Sequence, residues 1–195
     1  ESTVLLTGAT DGIGLATAHR LAPRVRHLIL HGPQPDEDAR RSTSDVRRRM
    51  GGGSTLTYVR ADYGEFAQVR TLAARVADTA ERLDILINNA GRAGPSRRTL
   101  SIDGNEITLQ TNYLAPFLLT TMLRPLLEGG HRSRIVNVAS ATHLSATLQL
   151  DDLGPREARA DRDRLQRPRA ASAQRRAVRD RERVGRRPLD DLDRL

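Results

Sequence analysis

The sequence predicts a doubly wound α/β fold, a parallel sheet covered by helices on both faces, and three observations carry that expectation. Five short apolar runs alternate with helix-period runs through the first 150 residues, the rhythm of strand–helix–strand units. The apolar runs are continuous rather than alternating, which fits strands buried on both faces. The first of them leads into a Gly-rich turn that opens a helix.

Each element has its own signal. Val4-Leu5-Leu6 is a compact apolar strand. Residues 13–21 have helical spacing, and Pro23 is expected to stop the helix. His27-Leu28-Ile29-Leu30 is the second strand, ended by Gly32-Pro33. The polar stretch from Asp36 to Met50 reads as one exposed helix, closed by Gly51-Gly52-Gly53. Leu56-Thr57-Tyr58-Val59 is the third strand. Phe66 to Ala80 carries apolar residues at 66, 69, 72, 73 and 76, one face of an amphipathic helix. Residues 83–87 form the fourth strand, with Asp84 near its exposed start. Asp103 to Leu127 reads as a long apolar helix, bent or broken near Pro116 and Pro125. Ile135-Val136-Asn137-Val138 is the fifth strand.

Composition narrows the function classes. A chain of 195 residues suits one domain. Its aromatics are Tyr58, Tyr63, Phe66, Tyr113 and Phe117, so the core is aliphatic. Cysteine is absent, which excludes disulfides, thiol catalysis and cysteine metal clusters. No His/Asp/Glu cluster has metal-ligand spacing, so no metal is expected, and His31 and His143 read as lone surface or packing residues. No apolar run approaches the ~20 residues of a membrane span. No charged-then-apolar leader opens the sequence, and a cytoplasmic protein without a membrane partner is the expectation. All 32 basic residues are Arg, and the formal net charge is +8. A basic excess invites a nucleic-acid reading. The Arg of the last 45 residues are interleaved with ten acids and no aromatic platform, which argues against it.

The chemistry concentrates in four places. Thr7-Gly8-Ala9-Thr10-Asp11-Gly12-Ile13-Gly14 follows the first strand and opens a helix. Glycines there let the backbone approach a pyrophosphate, and the helix start offers N–H groups and the positive end of its dipole. On this reading a bulky residue at Gly14 blocks the ligand. Asn88-Asn89-Ala90-Gly91 follows the fourth strand, Asn112 lies in the next helix, and Ser140 stands just past the fifth strand. Asp62, before Tyr63, follows the third.

In this order and context the features resemble the short-chain dehydrogenase/reductase family over about residues 1–150, and the stretch 141–153 is similar to its retinol-dehydrogenase-like branch. The resemblance implies a Rossmann-like fold and an NAD or NADP cofactor. It also implies hydride transfer between nicotinamide and a small-molecule carbonyl or alcohol, in a homo-oligomer. By resemblance the cofactor is bound by Gly8, Thr10, Asp11, Gly12, Ile13, Gly14, Asp62, Tyr63, Asn89, Ala90 and Gly91. The Asp62 carboxylate would accept from the adenine amino group, Ser140 would bond the reacting oxygen, and Asn112 would hold a water of the proton relay. Asn112 could equally be a buried residue satisfying helix backbone. An acid at the end of strand two would favour NAD and an Arg NADP; His31-Gly32-Pro33 is neither, so the preference stays open.

The family's proton-transfer pair, a Tyr with a Lys four residues on, has no counterpart. The last Tyr is Tyr113 and there is no Lys, while Arg is always charged and is no substitute. The expected domains are therefore 1–153, an incomplete dinucleotide-binding unit without the last strands and catalytic helix, and 154–195, an Arg-rich low-complexity tail. In residues 151–195, 24 of 45 are charged and only seven are large aliphatics, a composition typical of disorder. Arg- and Ala-rich sequence also suits out-of-frame translation of a GC-rich gene; the other reading frames of the DNA decide that. Three functional readings follow: an impaired oxidoreductase, a non-catalytic dinucleotide-binding protein, and an Arg-rich nucleic-acid binder, the last disfavoured by the tail's acids.

Overall fold

A computed structural model describes residues 2–130 and 132–141. The chain divides into two units, Glu1–Pro155 and Arg156–Leu195, and all described residues lie in the first. His143, the stretch beyond 141, the tail and the expected positions of the final strands lie outside the described residues.

The elements run β1 (Thr3–Thr7), α1 (Gly12–Leu21), β2 (His27–Gly32), α2 (Asp36–Ser42), α3 (Ser44–Arg49), β3 (Thr55–Arg60), α4 (Phe66–Thr79), β4 (Ile85–Asn88), α5 (Ile107–Leu109), α6 (Ala115–Met122), α7 (Arg124–Glu128) and β5 (Arg134–Asn137). The sheet is parallel throughout, in the order β3-β2-β1-β4-β5. The chain builds outward from β1 through β2 to β3, then crosses back to lay β4 on the other side of β1. That reversal opens a crevice at the carboxyl ends of β1 and β4.

Strand alternation divides the core into two layers. Leu5, Ile29 and Leu86 face one side and pack with Val69, Leu72 and Val76 of α4 and Leu119 of α6. Val4, Leu6, Leu28 and Leu30 face the other and pack with Ala18 of α1 and Val46 of α3. Register fixes the sandwich: Leu5 stands beside Ile29 and Leu86, and Thr7 beside His31.

Several local expectations are corrected. α1 does end at Leu21, ahead of Pro23, but Pro23 sits in the first positions of a further 3-10 turn, Ala22–Arg24, where its missing N–H costs nothing. The stretch 36–50 is two short helices meeting at Thr43, and it is not wholly exposed: Ala39, Thr43 and Val46 are buried. The long helix begins at Ile107, not Asp103, because Ser101–Asn105 closes a turn with Gly104 at φ +80°. It then passes through a π segment, Gln110–Leu114, and breaks at Leu123. Pro116 and Pro125 each stand in the first turn of the helix that follows, the position where proline is tolerated.

β5 stands at the edge of the sheet, the open apolar edge expected where the next strand is absent from the sequence pattern. All four of its residues are exposed, and Ile135, Val136 and Val138 are 44–47% accessible. Among the described residues no strand pairs with its far side. An apolar strand edge is a template for pairing with another chain. The protein is expected to self-associate on concentration, and Val136→Lys to suppress it. Sedimentation velocity measures this; a monomer at all concentrations in the unsubstituted protein would contradict it.

His31 reports on stability. The ring is 2% accessible and stacked on Tyr63 at 4.6 Å between centroids. Its Nε2 donates to the Ala61 carbonyl at 3.0 Å, so the neutral ring carries its proton there. Nδ1 is buried with no hydrogen-bond partner among the described residues. Burial lowers the pKa to about 4, against smaller raising effects of the Ala61 bond and the Asp62 charge. The unfolded ring binds its proton below about pH 6.5, the folded ring only near 4. Stability is therefore complete above about 6.5 and falls as pH drops to about 4, by about 3 kcal/mol in all. Chemical denaturation between pH 7 and 4 measures this, and His31→Phe should remove this part of the slope. An unchanged slope in that variant would assign the acid lability to other groups.

Candidate functional site

The crevice is a cleft of about 720 Å³, within the ordinary range for small-molecule sites. Gly8, Thr10, Asp11, Gly12, Ile13, Gly14, Asp62, Tyr63, Asn89, Ala90 and Gly91, the cofactor residues expected from sequence, all line it. His31 and Pro33, at the end of strand two where the sequence places the NAD/NADP choice, line it too, as do Gln34, Arg92 and Thr111, which reading the sequence missed. Gln34 could have been found from the end of β2 in a doubly wound sheet; nothing local marks Arg92 or Thr111.

The glycine turn and the segment after β4 are one assembly, built on Thr7. Its hydroxyl donates to the Ile87 carbonyl at 3.2 Å and accepts from the Asn89 and Ala90 N–H groups at 3.0 Å each. Asn89 Nδ2 donates back to the carbonyls of Thr7 at 2.9 Å and Gly8 at 3.0 Å. Asn88 Nδ2 reaches sideways to Thr120 Oγ1 at 3.1 Å and Asn137 Oδ1 at 2.9 Å, tying β4 to α6 and β5.

The three glycines of the turn have different reasons. A Cβ on Gly8, at φ +63°, would stand 2.7 Å from Ala90 Cα. One on Gly14 would collide with the Gly8 carbonyl oxygen and lie 2.6 Å from Asn89 Nδ2. Both are therefore glycine because protein packs against them. The steric block expected at Gly14 falls on the protein itself, which corrects the sequence reading. A Cβ on Gly12 would meet nothing within 4 Å, and Gly12 lines the cleft at φ +51°. That open approach, at the first turn of α1, is a cradle of the kind a pyrophosphate needs. Asp11 caps the helix through a 2.6 Å bond from the Gly12 N–H.

At the other end, Asp62 Oδ1 accepts from the Gly64 N–H at 2.8 Å, which orients the carboxylate. Across Gly32, Thr10 Oγ1 donates to Gln34 Oε1 at 2.6 Å. Asn112 is not a buried residue serving its own helix. It is exposed, in the π segment, and clasps the backbone of Arg92 by accepting from its N–H at 2.9 Å and donating to its carbonyl at 3.0 Å. Ser140 is exposed beyond β5. Among the described residues, neither Asn112 nor Ser140 lines the cleft.

Comparisons with known proteins agree with this architecture. The family described as short chain dehydrogenase matches residues 2–149. A Streptomyces sp. (strain C5) protein assigned as the daunorubicin C-13 ketoreductase DnrU is 41% identical over 151 residues, covering 77% of this chain and 50% of that protein. Human retinol dehydrogenase 13 is 37% identical over 155 residues, covering 77% and 45%. The chain thus spans about half the length of the curated relatives it matches. The solved RhlG/NADP active-site complex of Pseudomonas aeruginosa superposes with a TM-score of 0.61 at 25% identity, over 79% of this chain and 60% of that one. Among the described residues no helix is long and apolar enough to cross a membrane. A parallel sheet whose order reverses between β1 and β4, a glycine turn at that reversal and a family match across three-quarters of the sequence place the chain in the short-chain dehydrogenase family, in its retinol-dehydrogenase-like branch.

Proposed function

We propose that this chain binds a nicotinamide dinucleotide, NAD or NADP, along the cleft. The pyrophosphate lies at Gly12 and the first turn of α1, and the adenine lies toward Asp62. The observation that carries the reading is the open glycine cradle at Gly12, framed by two glycines that protein contacts require. The solved relative complexed with NADP supports the class of ligand. The reaction of the lineage is hydride transfer between nicotinamide and a carbonyl or alcohol, and a ketoreductase and a retinol dehydrogenase among the relatives support that substrate class. Ser140 would hold the reacting oxygen, and Asn112 would act through the Arg92 backbone that it clasps.

A second reading, a dinucleotide-binding protein without turnover, is favoured by one observation. These 195 residues have Tyr only at 58, 63 and 113 and no Lys, so they hold no counterpart of the family's Tyr–Lys pair after β5. Calorimetric titration with NAD(H) and NADP(H) tests what the two readings share. Saturable binding of either dinucleotide supports it; no heat with either overturns it.

A further inference from the structure

We propose that Gln110 is the positioning residue for the adenine end of the cleft; this rests on the dinucleotide reading above. Gln110 is wholly buried, at the start of the π segment, and every hydrogen-bonding position of its amide is used. Oε1 accepts from Ser101 Oγ and from Asn105 Nδ2 at 2.9 Å. Nε2 donates to the Tyr63 carbonyl at 3.2 Å and to Asp103 Oδ2 at 2.7 Å. Asp103 Oδ2 in turn accepts from the Phe66 N–H at 2.8 Å.

The loop from Asp62 to Phe66 is thus gripped twice by one side chain, directly at Tyr63 and through Asp103 at Phe66. Its near end is held separately, by the Asp62 N–H bond to Gln68 Oε1 at 2.8 Å. Asp62 and Tyr63 line the cleft while Gln110 and Asp103 stand behind them. The turn at 101–105 and the amide of Gln110 form a buttress that sets where the Asp62 carboxylate points. The hydrogen bonds of Gln110 and Asp103 run to the turn at 101–105 and to the loop from Tyr63 to Phe66, not to Gly12, so their influence falls on the adenine half of the ligand.

The full-length chain is titrated with ADP-ribose and with nicotinamide mononucleotide, and its melting temperature is recorded. Gln110→Glu replaces the donating Nε2 with a carboxylate oxygen facing Asp103 and the Tyr63 carbonyl. It is expected to weaken ADP-ribose about tenfold and leave nicotinamide mononucleotide unchanged. Asp103→Ala, at an exposed position, keeps the fold accessible if Gln110→Glu does not, and should weaken ADP-ribose about threefold to tenfold. Asp103→Asn keeps an acceptor oxygen and should retain full affinity. Unchanged ADP-ribose binding in Asp103→Ala, or equal losses for both fragments, overturns the role of the buttress alone. An unsubstituted chain that binds neither dinucleotide nor ADP-ribose overturns the parent reading and this one together.

Discussion

Simple aldehydes or ketones incubated with the purified protein and NADPH or NADH are expected to leave the absorbance of the reduced nicotinamide unchanged over hours, even at high protein concentration. The reaction needs an acid beside the substrate oxygen, and the three phenols are committed elsewhere. Tyr58 donates to the carbonyls of Gly32 at 2.8 Å and Gln34 at 2.9 Å, and burial, helped by the Asp36 charge, pushes its pKa up to about 12. Tyr63, in the cleft wall, is 3% accessible and stacked on His31, and burial raises its pKa well above the ordinary value. Tyr113 is 61% exposed and stacks on Phe117, while its neighbour Thr111 is the residue of that helix that lines the cleft. Ser140, in the role proposed for it, would hold an oxygen but is a poor acid at neutral pH. General acid–base assistance is typically worth about 10²–10⁴-fold. Turnover that disappears in Ser140→Ala would show that another proton donor has been found, and the expectation would be wrong.

One methyl group, added at Gly12 or at Gly14, is expected to give opposite failures. In Gly12→Ala the new Cβ enters open space at the cradle. The left-handed backbone there costs about 1–2 kcal/mol, so the domain still folds and melts cooperatively. Dinucleotide affinity should fall about a hundredfold or more, about 3 kcal/mol, because the methyl occupies the approach of the pyrophosphate. In Gly14→Ala the Cβ is driven into the Gly8 carbonyl and Asn89, so the melting temperature itself collapses and binding goes with it. Thermal melts and calorimetric titration of both variants separate the cases. If Gly12→Ala binds as the unsubstituted chain does, the turn is not a ligand site.

The sheet and the cleft were legible because their signals are local. Val4-Leu5-Leu6 and His27-Leu28-Ile29-Leu30 became buried central strands, and residues 69, 72, 73 and 76 became the buried face of α4. The glycine turn and the Asn89–Gly91 segment line the cleft because each follows the carboxyl end of β1 or β4, where topology delivers it to the same crevice. What was illegible depends on distant partners. The turn at 101–105 that shortens the long helix is held by Gln110, and no periodicity announces a buried amide. Asn112 looked like a helix-interior residue because its partner, the Arg92 backbone, arrives from twenty residues away.

The dependence of the glycine turn on the segment after β4 has a consequence for the order of assembly. Gly8 is backed by Ala90, and the Thr7 hydroxyl is satisfied by Asn89 and Ala90, eighty-odd residues later in synthesis. A nascent chain that has released β1, β2 and β3 already owns every glycine of the turn and its bonds to β2, yet lacks the Asn89 and Ala90 contacts that back Thr7 and Gly8. Such a fragment carries the sequence of the motif without its geometry. The cleft comes into being only when β4 docks on β1, a long-range closure of the kind that comes late and slowly. Ribosome-bound chains of stepped length should therefore acquire dinucleotide retention in a single jump, after Gly91 clears the exit tunnel and not gradually from Gly14 onward.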